Sequence, residues 1–343
     1  INICNMNPFV SENSMALAKE IIDNLTNQED KKFFMQIFNY GNLNDYNYLE
    51  LKNLTQYLYF FKLLLTSPAI STEIKQKFGL NKKTFIYDCI FRLNENCSYI
   101  KWFYNIEYGN CYSINTGYDE FGIQTKNFLK QNEITNYEGI ILYLFSGFVN
   151  NDPNNIFSIE TQLGFPLEIY NQSYMPFFYN DIISLKPATG TFLKVKKIIK
   201  KHLSFPYSNC AESETFKSIY NDELKRLGYL YDQSACMKLC FQKKLIENCS
   251  CYEYFYKHIY DLPLFNSHQC NNNDELFCAE NFLLIFDKAK CYEECPPECL
   301  SVSYETRSSF LNFPGEGNFK IYFSKNPILQ QYYNSANISH EIL

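Results

Sequence analysis

The chain has 343 residues and a net charge of −6, with 46% hydrophobic and 18% aromatic residues, 31 Phe and 29 Tyr against a single Trp. That is apolar material for a large core and more than one minimal domain. The Lys and Arg residues look scattered, with no basic block of the kind that binds nucleic acid or anionic lipid, so a nucleic-acid partner is not expected.

Residues 1–9, INICNMNPF, read as a short strand ending at Asn7-Pro8. They carry no initiator Met and no signal-peptide layout, and the chain reads as an excised piece of something longer. From 11 to about 66 the pattern is helical. Ser11 or Ser14 can cap a first helix whose apolar residues are Met15, Leu17, Ile21, Ile22 and Leu25. KKFFMQIF and YLELKNLTQYLYFFKLLL continue in the same style. No apolar run reaches the ~20 residues that span a bilayer. The longest, 57–65 and 140–149, fit buried helix or strand.

Cys89 and Cys97 enclose a short loop, and 104–117 reads as a strand closed by Gly117. Residues 119–206 are mostly β-like, with 139–149 and 163–170 as strand candidates between Asn, Asp, Pro and Gly turns. TFLKVKKIIKKHL (191–203) alternates enough for a long strand, although a helix stays open. Residues 234–249 read as a helix capped by Asp232 or Ser234, with Lys243 and Lys244 toward its negative end. SVSYETRSSF (301–310) reads as a strand, and 326–337 as a final helix. The class is α+β with segregated helical and β regions.

The 14 cysteines stand at 4, 89, 97, 111, 210, 236, 240, 249, 251, 270, 278, 291, 295 and 299. Six N-x-S/T sequons begin at Asn24, Asn53, Asn96, Asn171, Asn248 and Asn337. An even cysteine set beside sequons favours an oxidising, extracellular compartment. No C-x-x-C occurs, which argues against both a zinc site and thioredoxin-type chemistry, and His258 and His268 do not stand at finger spacing. Disulfides fit better. Cys236 and Cys240 are i and i+4 on one helix face, and Cys291, Cys295 and Cys299 repeat the four-residue step. Two such ladders running antiparallel would nest 240 with 291, 236 with 295, 210 with 299, 249 with 278 and 251 with 270. Pro296 and Pro297 suit a second arm that leaves helical geometry. A segment with that many bridges resists bending and moves as a unit.

Catalysis finds no foothold. There is no G-x-S-x-G, H-E-x-x-H or P-loop, and only four His. Glu293, Glu294 and Glu298 read as a solvated face. Neither an enzyme nor a bound cofactor or metal is expected.

GNCYSINTG (109–117) resembles the G-x-C-Y-x-F-N strand of the degenerin, epithelial sodium channel and acid-sensing ion channel superfamily. INICNMNPF is similar to that family's T-x-C-N-x-N entry strand, and LSFPYSNC (203–210) to its L-x-x-P-Y/W-x-x-C motif. The cysteines of 234–251 and 291–299 resemble those of its thumb. The resemblance implies the five nested pairs and adds 4 with 111 and 89 with 97. It implies a hand-like, disulfide-rich α+β ectodomain over 1–343. Within it, 11–105 would be finger, 119–185 finger and β-ball, 207–299 thumb and 325–337 a knuckle helix. Palm strands would come from 1–7, 108–116, about 191–205 and 300–306. Both membrane helices would lie outside the chain, and the palm strands after the knuckle helix would be cut off, which leaves sheet edges exposed.

In function, the resemblance implies the extracellular sensing domain of a trimeric, sodium-permeable, amiloride-sensitive channel in the plasma membrane. Its partners would be other subunits, sodium ions in a pore outside this chain, and an extracellular ligand such as a peptide, proton or matrix component. Tyr207 takes an aromatic position that contacts the first membrane helix, or else packs beside Pro206. Glu280 matches one thumb acid of acid-sensing members. The next falls at Leu284, and the facing finger acids fall near Phe157 and Ser158, with Asp152 or Glu160 as substitutes. Acid sensing is therefore not specifically expected. The competing reading is a secreted disulfide-rich adhesion or inhibitor module without a pore.

Overall fold

A computed structural model describes residues 1–11, 14–25, 28, 31–32, 35, 58, 61–62, 64–65, 70–91, 95–97, 100–115, 139–147, 157, 164–175, 182–203, 205–252, 267–270, 273–312 and 339–342. They form a mixed α/β structure with two larger sheets, few helices and seven disulfides. The chain divides into two compact units: 1–169 with 181–195 and 306–343, and 170–180 with 196–305.

The first unit is built on β1 (Asn2–Cys4), the middle strand of a five-stranded sheet. On one side lie β5 (Gly109–Ile114) and β4 (Ile100–Asn105); on the other lie β7 (Phe165–Glu168) and β8 (Ile183–Leu185). Every pairing is antiparallel, and Cys4 stands directly opposite Cys111, its disulfide partner. Because β1 is buried throughout, its polar side chains need partners. Asn2 donates to Glu168 at 2.8 Å and accepts from Ser113, while Asn5 donates to the Ser146 carbonyl at 2.8 Å.

The stretch 104–117 is not one strand. It holds the end of β4, a turn and β5, because Asn105 Oδ1 accepts from the backbone N–H groups of Glu107 and Tyr108 and folds the chain back. Gly109 completes the turn at φ +67°, where a Cβ would stand 2.8 Å from the Cβ of Pro8.

The second sheet has the order β12-β9-β13-β6-β2-β3. Its strands are β2 (Ile86–Phe91), β3 (Glu95–Asn96), β6 (Ile140–Leu144), β9 (Thr189–Lys201), β12 (Leu300–Asn312) and β13 (Ser339–Ile342). The choice left open at 191–203 thus falls to strand. The expectation that all strands after residue 337 are missing is corrected. Ser339–Ile342 sit between β9, which they meet in parallel, and β6, which they meet antiparallel. SHEI is too short for periodicity to mark it; its partners define it. Cys89 and Cys97 are bonded across the β2–β3 hairpin.

Helix α1 (Ser14–Asp23) buries Ala18 and Ile22. The Ser14 hydroxyl donates backward, to the carbonyls of Phe9 and Ser11. Two shorter helices, α2 (Thr72–Phe78) and α3 (Lys82–Phe85), start on side-chain caps, from Ser71 and Asn81. Phe9, Phe61, Phe78 and Phe157 form one aromatic cluster, with Phe9 and Phe157 stacked at 4.1 Å. Most of 26–69, the segment 116–138, and the helix expected at 325–337 lie outside the described residues.

Candidate functional site

The second unit holds most of the cysteines. Its helices are α4 (Ile219–Arg226), α5 (Gln233–Cys249), α6 (Asn273–Ile285) and α7 (Ala289–Tyr292). Helix α5 forms because Asp232 in extended backbone accepts from the Ala235 N–H at 3.0 Å, and it stops at Ser250 in left-handed geometry. Of the two cap candidates, the aspartate is used. One face of α5 buries Ala235, Cys236, Leu239, Cys240 and Leu245.

Five disulfides fasten this helix and its flanks. Cys236 joins Cys295, and Cys240 joins Cys291 in α7. Cys249 joins Cys278 in α6. Cys251 joins Cys270 beside a two-stranded parallel pair, β10 (Cys251–Tyr252) and β11 (His268–Gln269). Cys210 joins Cys299, and the Ala211 backbone closes that end by exchanging hydrogen bonds with Pro297 and Cys299 at 2.7 and 2.8 Å. The pairs are nested without crossing, and all fourteen cysteines are bonded. None is left as a thiolate for a metal, and no group of three metal-binding side chains occurs among the described residues.

Between the rungs, side chains cross-tie the arms. Tyr231 donates to the Pro296 carbonyl at 2.6 Å, and Gln233 Nε2 to the Cys295 carbonyl at 2.9 Å. Tyr220 donates to Glu294 at 2.9 Å, and Lys244 Nζ lies 3.7 Å from Glu294 and 3.8 Å from Glu247. Glu298 accepts from the Gln233 backbone N–H at 3.0 Å, so it reinforces the start of α5. Glu293 and Glu294 are exposed, as the solvated-face reading expects, although Glu294 also holds partners; the reading is corrected only for half-buried Glu298. Lys244 is held by carboxylates rather than by the helix end alone.

Burial raises the Tyr220 and Tyr231 hydroxyls well above the usual phenol range, with the nearby carboxylates adding to it, so both stay protonated donors. Asp232 is pushed up to about 6, first by desolvation and then by the Glu298 charge, against the hydrogen bonds from Ala235 and Ser234 and the attraction of Lys238. Its second oxygen, Oδ2, is buried without a hydrogen-bond partner.

Around Tyr207 the chain is open. Tyr207 is 79% exposed and Phe205 83%, and the peptide between Phe205 and Pro206 is cis. The position expected for a finger acid, Phe157, is a buried aromatic, and Leu284 in α6 is exposed. The Glu280 side chain, Ser158, Asp152 and Glu160 lie outside the described residues. Of the sequons, Asn24 and Asn248 are exposed and Asn171 is half-buried. Asn248 Nδ2 also lies 3.5 and 3.8 Å from the sulfurs of Cys249 and Cys278. The side chain of Asn96, and all of Asn53 and Asn337, are outside the described residues. Helices α4 and α6 went unread in the sequence. For α4 the signal was there: Ser218 as cap, with Tyr220 and Leu224 at i, i+4.

Largely antiparallel sheets and a helical unit clamped by nested bridges define a disulfide-rich α+β class of protein. The sequence profile of the family described as amiloride-sensitive sodium channel matches residues 1–342, and the chain belongs to that family. Its relatives include an epithelial sodium channel subunit alpha from Neoceratodus forsteri, 22% identical over 75% of this chain and 37% of the relative. A subunit beta from Canis lupus familiaris is 26% identical over 74% and 39%, and the Homo sapiens subunit beta is 27% identical over 68% and 35%. The chain thus spans well under half the length of these relatives. No helix among the described residues is long and apolar enough to cross a membrane.

Proposed function

We propose that this chain is the extracellular domain of one subunit of a trimeric, sodium-permeable, amiloride-sensitive cation channel in the plasma membrane, and that it works with no cofactor and no catalysis. The observation that carries the reading is the family match over 1–342 on a chain whose fourteen cysteines are all bonded. Disulfides of this density belong outside the cytosol. In this reading 11–105 is finger, 119–185 finger and β-ball, 207–299 thumb and 325–337 knuckle.

The thumb is the lever. Five nested bridges, the carboxylate ties and the tyrosine bonds leave α5 and its flanks little freedom to bend, so a push at one end moves the other. Tyr207, exposed just before Cys210, is the candidate contact for passing that motion toward the membrane, and Glu280 on α6 a candidate contact for the stimulus. Asn24, Asn53, Asn96, Asn171, Asn248 and Asn337 are candidate glycan acceptors.

The test is current. A full-length subunit carrying this domain is expressed at the cell surface, alone and with companion subunits, and the current is recorded in sodium and then with amiloride. Inward sodium current blocked by amiloride is expected. Surface-resident protein that gives no current in any combination would count against the channel, and release of the protein into the medium would favour the secreted-module reading instead.

A further inference from the structure

Strand β9 contradicts the impression that the basic residues are scattered. In its second half Lys196, Lys197, Lys200 and Lys201 follow one another within six residues, and His202 comes next. All five are exposed, and none of the four lysines enters an ion pair among the described residues. The neighbouring strand offers little to neutralise them. Over the stretch of β12 in the same unit, Leu300–Glu305, the only acid is Glu305. In a chain of net charge −6, this ribbon is a concentrated positive feature.

We propose that this β9 ribbon is a binding surface for a linear sulfated polysaccharide. Strand geometry supplies the argument. Successive side chains alternate faces, so Lys196 and Lys200 project from one side and Lys197 and Lys201 from the other. Charges on one face recur along the strand, with Lys196 and Lys200 about 13 Å apart at ~3.3 Å per residue. A flat lipid surface meets only one face of such a ribbon and leaves the other lysines unused. A flexible linear polyanion can follow the strand and collect both sets. The cations are ammonium groups, point charges that suit sulfates and lack the paired fork with which arginine grips carboxylates. The proposal rests on the reading that this unit faces the outside of the cell, where sulfated polysaccharides are found.

Heparin of defined length is the probe, immobilised and challenged with the full-length subunit in detergent. Surface biotinylation on intact cells reports separately whether the unit is extracellular. Four phosphate-like contacts predict that binding weakens roughly a hundredfold between about 50 and about 200 mM salt. Replacing Lys196, Lys197, Lys200 and Lys201 together by Gln should remove most of that salt dependence and weaken binding at least about tenfold. The same four positions changed to Arg should retain it, which keeps the test open if the Gln variant fails to reach the surface. A control with Lys217, Lys288 and Lys290 changed to Gln should bind like the parent, since those exposed lysines lie off the ribbon. Three results overturn the proposal: no salt-sensitive retention, equal retention of the Gln variant, or equal competition by vesicles rich in phosphatidylserine or by polyglutamate.

Discussion

Asp232 makes the start of α5 sensitive to pH. Its Oδ1 caps the helix, its Oδ2 is buried without a partner, and Glu298 brings a second carboxylate to the same turn. Lys238 offers partial compensation, while Tyr231 and Tyr174 face the site as neutral hydroxyls that burial keeps protonated. With its carboxyl raised from 3.8 to about 6, the folded chain holds this proton more tightly than the unfolded chain. Protonated Asp232 therefore contributes stability that is fully present below pH 3.8 and is lost as the pH rises through about 6. At 1.36 kcal/mol per pKa unit, the difference has a ceiling of about 3 kcal/mol.

Hydrogen exchange of the α5 amides, corrected for intrinsic rates, measures it on the solubilised full-length protein. Because pH 5 lies one unit below the folded value of about 6, protection at pH 5 should exceed that at pH 7.5 by up to about tenfold, part of the full ceiling that is reached only below pH 3.8. Asp232→Asn keeps the capping oxygen and removes the charge. It should flatten the pH dependence and leave α5 at pH 7.5 as protected as the parent is at pH 5. Glu298→Gln should shrink the effect without abolishing it, because burial is the larger cause. A parent protein with flat protection, or an Asn variant with an undiminished slope, would show that Asp232 does not carry the pH dependence.

Two further substitutions test packing in the first unit. Phe157→Ala should lower stability by about 3–5 kcal/mol, read as a fall in thermal midpoint, since the ring is buried against Phe9, Phe61 and Phe78. Phe157→Asp, which puts a carboxylate among these rings, should reduce surface expression more severely rather than confer a proton response. Gly109→Ala should cost about 1–3 kcal/mol in the same assay, because it combines a left-handed backbone with the collision against Pro8.

What the sequence made legible was local. Asp232 ahead of an apolar-periodic run marked α5, and the i, i+4 spacing of Cys236 and Cys240 placed two sulfurs on one face. The alternation in 191–203 leaned toward the strand that β9 is. What escaped depends on partners distant in sequence. Strand β13 is four residues defined by β6 and β9, and the Asn105 turn looks like strand until its side chain is seen bonding the backbone. Phe157 could be aligned with an acid only because nothing local records that it stacks on Phe9. The cross-ties of Glu294 and Glu298 escaped because their partners, Tyr220 and the Gln233 N–H, lie more than sixty residues away.

In the proposed function, the nested bridges make the second unit a rigid transmitter. Removing one rung in the middle tests it: Cys240→Ser together with Cys291→Ser, which leaves no unpaired thiol. The measurement is amiloride-blocked sodium current per channel at the surface. Normal surface numbers with current per channel altered several-fold are expected, as a softened lever would couple less of the stimulus to the pore. Unchanged current per channel, with the rung shown absent by peptide mapping, would contradict it.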